Sequence, residues 1–217
     1  MKTDEQLQQD VSAELVWEPS VHAGRIGVQV ARGVVTLVGQ VDSYREKWHA
    51  EQAAQRVTGV QALAVELTVQ LPGPHQRSDA DIARTVASVL AWSAAVPAGT
   101  LQVMVEHGWV TLSGEVDQQH QRQAVSDSVS YLMGVIGINN QITLKPAQVL
   151  AAQPADIEAA LQRTSISQAQ AIHVGVQGSR VTLGGTVHSW ADRQTALNSA
   201  WGTPGVSSVV DQLQWLH

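Results

Sequence analysis

The amino-acid sequence predicts an α+β protein of three tandem α-β-β-α-β units, and three observations carry that reading. A phrase recurs: "GVVTLVGQV" from Gly33 to Val41, "GWVTLSGEV" from Gly108 to Val116, and "RVTLGGTV" from Arg180 to Val187. Each phrase holds an anchor glycine, Gly39, Gly114 or Gly185, followed 20 positions later by a second, Gly59, Gly134 or Gly205. Around these fixed points the apolar period switches between helical and strand spacing in the same order each time.

Each element follows from local chemistry. "DEQLQQDVSAEL" and "SDADIARTVASVL" place Leu7, Val11 and Leu15, or Ile82, Val86 and Val89 or Leu90, at helical spacing, each run entered through Asp or Ser near the N-cap. Two strands follow, Ile26 to Val30 and Val34 to Val41 in the first unit, joined by the short turn "ARG", which "EHG" and "QGS" match later. Alternation puts Val35, Leu37, Gly39 and Val41 on one face, with Val110, Leu112, Gly114, Val116 and Val181, Leu183, Gly185, Val187 as equivalents. The anchor glycine is expected to remove a side chain where a helix approaches the sheet. The second helix turns Ala50, Ala54 and Val57 inward, then Val125, Val129 and Leu132, then Ala196 and Ala200. It is expected to end before the second glycine, which tolerates a left-handed backbone. In the third unit Pro204 predicts an earlier stop, near Gly202. A last strand, Leu63 to Val69 and its equivalents, completes the unit.

The units run 3–71, 78–145 and 154–217, separated by the Pro-bearing connectors "LPGPHQRS" and "KPAQVLAAQPA". The formal charge of -6 and the absence of clustered Lys and Arg argue against nucleic-acid binding. With no Cys there is no disulfide framework and no thiolate chemistry. The stretch "MKTDEQLQQDVSAEL" lacks an apolar signal core, and no run is long enough for a transmembrane helix, so the expected compartment is the cytoplasm, or the periplasm if a leader has been removed.

The strand pattern "G-x-VTL-x-G-x-V", a helix with Arg near its middle and "GV" leading into the last strand resemble three tandem BON domains, a bacterial module, over essentially the whole chain. The resemblance implies a three-stranded mixed sheet packed against two helices in each unit. It also implies binding to phospholipid surfaces, or support of the envelope under osmotic stress, without known catalytic residues. The Asn often found in that family's last strand is matched by Asn140, approximated by Asp211 and replaced by Val65.

Candidate interaction residues come from position within the repeat. Lys47, Arg122 and Arg193 each lie eight positions after an anchor glycine and form a possible row of phosphate contacts, or long side chains paired with local acids such as Glu46 and Asp192. Trp17 and Trp92 occupy matching places and are expected to pack beneath the following loop. Trp48 and Trp109 do not repeat, and with the apolar strip Val34 and Val38 they are candidate interaction surfaces. The eight His form no i,i+4 metal pair on a predicted helix, and neither a phosphate loop nor a Ser-His-Asp set is evident, so no enzyme activity, metal or cofactor is expected. Three functions stand open. One is a binding or adaptor protein for phospholipid or an envelope protein. The second is a cytoplasmic scaffold forming homo-oligomers or filaments, and a minor third is potassium sensing.

Overall fold

In a computed structural model, which describes residues 2–93, 96, 99–145, 157, 159, 172–203 and 205–215, the chain forms three α+β units. The first contains α1 (Asp4–Trp17), β1 (Ile26–Ala31), β2 (Val34–Val41), α2 (Tyr44–Arg56) and β3 (Ala62–Val69). The second contains α3 (Asp79–Trp92), β4 (Leu101–Glu106), β5 (Trp109–Val116), α4 (Gln119–Ser130) and β6 (Gly137–Leu144). In the third, β7 (Ile172–Gln177), β8 (Arg180–Val187), α5 (Trp190–Trp201) and β9 (Ser208–Trp215) are described. The connector and first helix expected before β7 lie outside the described residues, apart from Ile157 and Ala159, which are helical.

Every sheet has the recurring phrase as its middle strand, antiparallel to the strand before it and parallel to the strand after α2, α4 or α5. The helices cover one face. Leu7, Val11 and Leu15 of α1 and Ala50, Ala53 and Ala54 of α2 bury against Val35, Leu37 and Val41; Ile82, Val86, Val125 and Val129 do the same on Val110, Leu112 and Val116. Ala196 and Ala200 close the third core over Val181 and Leu183. Small residues on α2 and α5 let these helices lie close to their sheets, where Val on α4 fills the same layer.

The hairpin turns are held from a distance. Arg32 and Gly33, like His107 and Gly108, adopt consecutive positive φ values, the conformation of the tight hairpin turn. In the first unit the Asp4 carboxylate accepts from the amides of Arg32 (2.7 Å) and Gly33 (3.0 Å), and in the second Asp79 accepts from His107 and Gly108 (both 2.8 Å). These backbone donors, at Gly33 and Gly108 foremost, hold both carboxyls below the ordinary Asp range. The first residue of each helix, beside the caps Thr3 and Ser78, thus fixes a turn that begins 28 residues on.

Two expectations about glycine are corrected. A Cβ on Gly39 or Gly114 would meet the carbonyl oxygen of Arg25 or Thr100, just before the neighbouring edge strand, rather than a helix. The backbone there lies at φ +145° and +124°, and Gly185 shares the conformation at +110°. The second glycines do take positive φ, but Gly59, Gly134 and Gly205 lie beyond the helix caps Val57, Tyr131 and Gly202, so they turn the chain toward the last strand instead of ending the helix. The early stop of α5 at Gly202 agrees with the reading of Pro204.

Candidate interaction sites

The second helices of the three units meet. At the start of α2, the Arg45 guanidinium lies 3.2 Å from the Tyr131 ring centre and donates to Ser130 Oγ (3.3 Å), at the end of α4. Tyr44 packs against the second unit's core, and Trp190, the first residue of α5, packs against the first unit's core. The start of α4 and the end of α5 face the same cleft, which α2 borders with Trp48 and Gln52. The start of α2 thus meets the end of α4, and Trp190 brings the start of α5 against the first unit. Around them lies a cleft of about 860 Å³.

This arrangement relocates Trp48. The sequence allows it an exposed position for association between chains, whereas it is half-buried and lines the intramolecular cleft, its ring 5.5 Å from the Arg45 guanidinium and edge-on to His49 at 5.1 Å. Burial, followed by the Arg45 charge, holds His49 below the ordinary His range.

The three basic residues do not share one environment. Arg193 donates from Nε to Asp211 (2.7 Å), not to Asp192, and lies 5.7 and 5.5 Å from the rings of Trp190 and Trp215, so its charge is engaged within the third unit. Lys47 lies one turn before Glu51, whose carboxyl burial pushes up against the pull of the lysine charge. Arg122 is half-buried on α4. A row of equivalent phosphate contacts does not follow from this geometry.

His22, Asp42 and Glu46 bring ligand atoms within 4.8 Å of one another, a grouping their sequence spacing does not single out. The buried Glu46 carboxylate accepts from the His22 amide and ring Nδ1 (both 2.8 Å) and from the Asp42 amide (2.8 Å). At the same repeat position Gln121 accepts from the amides of Asp117 (2.9 Å) and Gln118 (3.0 Å). The shared work of the two side chains is to satisfy the backbone at the helix start.

The exposed aromatics differ from expectation. Trp17 is 82% exposed and Trp92 90% exposed, at the ends of α1 and α3, so neither packs beneath a loop. Helical geometry carries the signal: each stands two residues, about 200° of rotation, past Leu15 or Leu90 on the inward stripe. Trp109 is 51% exposed on the outer sheet face, over Gly137, where it shares that face with the exposed Met104. Val34 is 39% exposed and Val38 is half-buried.

The BON domain profile matches residues 3–70, 78–146 and 151–216. Osmotically-inducible protein Y of Escherichia coli (strain K12) is 29% identical over 146 residues, 65% of this chain and 73% of that protein. Among solved structures, the C-terminal domain of CdsD, the structural protein of the Type III secretion system of Chlamydia trachomatis, aligns over 100% of both chains at 13% identity with a TM-score of 0.26. The PrgH periplasmic domain aligns over 88% of this chain and 95% of its own at 9% identity, with a TM-score of 0.25.

Proposed function

The chain belongs to the BON domain family along nearly its whole length, and from that premise we propose a non-catalytic binding protein of the osmotic-stress response that docks on phospholipid surfaces. The observation that carries the reading is the pair Trp17 and Trp92: the same place in two units, each a helix's last residue, each more than four-fifths exposed. Trp is the side chain favoured at the boundary between lipid headgroups and acyl chains, where its ring is half dry and its indole N–H stays hydrated. Val16, 72% exposed, adds apolar surface beside Trp17. Among the described residues no helix is long and apolar enough to cross a membrane, which suits a protein that rests on the surface. With a net charge of -6, docking rests on ring insertion instead of attraction to anionic lipid.

The reading is tested by vesicle co-sedimentation. Phosphatidylcholine vesicles and vesicles that also contain phosphatidylglycerol are expected to bind the protein to a similar extent, with little dependence on salt. Trp17→Ala with Trp92→Ala removes the binding. Absence of binding to both vesicles, or binding unchanged in the double variant, rejects the proposal.

A second reading, homo-oligomerisation, draws on the outer sheet face, where Trp109, Met104 and Val34 are exposed. Edge strands beside such a face favour association. Sedimentation of the wild type against Trp109→Ala at micromolar concentrations tests it, and a monomer before any substitution rejects it.

A further inference from the structure

The cleft between α2, α4 and α5 has a lining unlike the exposed Trp surface. We propose that it binds a neutral carbohydrate. Its volume of about 860 Å³ falls within the roughly 300–1,000 Å³ of small-molecule sites. All three units contribute: Trp48 and Gln52 from α2, Gln119 from the start of α4, and Gln194, Asn198 and Trp201 from α5.

The side-chain types select the ligand. The lining carries Asp117, Asp127 and His120 but, among the described residues, no Lys or Arg. Asp117 pairs with Lys145 (3.1 Å) and Asp127 accepts from Gln123 Nε2 (2.9 Å), so a phosphate, sulfate or lipid headgroup anion meets carboxylates rather than a counter-charge. Two half-buried Trp rings offer flat apolar area, to which the axial C–H face of a sugar ring is complementary. Planar amides present a donor and an acceptor side by side, the pattern that neighbouring sugar hydroxyls match in either direction. Gln194 Nε2 donates to Asn198 Oδ1 (3.0 Å), which holds both amides in place before any ligand arrives.

A quaternary ammonium would use the same Trp faces, so choline is the competing occupant to be measured beside the sugars.

Saturation-transfer difference NMR and titration calorimetry with maltotriose, cellotriose and chitotriose test the assignment. At least one trisaccharide is expected to bind, with affinity falling roughly tenfold or more in Trp48→Ala and Trp201→Ala. Gln194→Leu, chosen because it leaves the cores untouched, is expected to weaken binding with an unchanged circular dichroism spectrum. The Trp17→Ala, Trp92→Ala double variant retains sugar binding, so membrane docking and cleft binding succeed or fail separately. Saturation transfer from none of the three sugars, or affinity unchanged in Gln194→Leu and Trp48→Ala, overturns the proposal. So does choline chloride bound in preference to every sugar, which would assign the cleft to a cation.

Discussion

The first and third units fill the same inward place on their last strand in opposite ways. Val65 stands opposite Leu37 and packs against an apolar core, while Asp211 stands opposite Leu183 with a charge. Asp211 is fully employed: one oxygen accepts from Arg193 Nε (2.7 Å) and the other from the amide of Leu213 (3.0 Å). The second unit lies between them, with Asn140 donating to Ser126 Oγ (2.7 Å) and accepting from the amide of Ile142 (3.0 Å). The comparison teaches that the fold asks this position for a satisfied side chain and not for one residue type. The charged solution has a use beyond the unit, since Arg193 lies over Trp190, which also packs on the first unit's core.

The comparison presumes a common framework, and the anchor glycines are the place to break it. Gly39→Val or Gly114→Val adds a branched side chain at positive φ against the Arg25 or Thr100 carbonyl. Backbone strain and overpacking together are expected to destabilise the affected unit by about 3 kcal/mol or more. Urea unfolding followed by circular dichroism measures it, and stability equal to wild type would show that these glycines do not define the shared hairpin.

A smaller effect sharpens the contrast itself. Asp211→Ala leaves the Arg193 guanidinium, only about a quarter exposed, without its carboxylate, a loss of about 1–3 kcal/mol for a charged hydrogen bond in a partly screened site. Asp211→Val combined with Arg193→Met imitates the apolar pattern of the first unit and is expected to recover most of that loss. If the double variant is as unstable as the sum of its parts in thermal unfolding, the two solutions are not interchangeable.

Much of this fold is legible because its signals are local. Leu7, Val11 and Leu15 define a helix face within one segment, and the three copies of the strand phrase fix the repeat order without reference to distant contacts. The candidate sites are less so. Trp48 sits in a cleft assembled from three units, and no period within α2 encodes where α4 and α5 lie. Arg193 reaches Asp211, 18 residues away across a helix-strand packing layer, whereas a reading along the helix offers only Asp192. Trp17 and Trp92 were accessible to sequence reasoning, since the same helical rotation that buries Leu15 turns Trp17 outward.

The smallest expected effect concerns the hairpin turns of the first and second units, which agree where their last strands differ. Asp79 accepts two backbone hydrogen bonds from His107 and Gly108, and Asp4 accepts the same pair from Arg32 and Gly33. Both carboxyls are held below the ordinary Asp range, so the folded state binds their protons less readily than the unfolded chain does. Their contribution is therefore fully present above the unfolded Asp pKa of about 3.9 and fades as pH falls through the lower folded value. Asp79→Asn keeps an acceptor of similar shape but removes the charge, so it is expected to lower stability modestly at neutral pH and to flatten the acid limb of the stability profile. Denaturant midpoints measured from pH 7 down to pH 2, for the wild type and for this variant, make the comparison. An acid limb as steep in Asp79→Asn as in the wild type would mean that the turn is held without the help of the carboxylate charge.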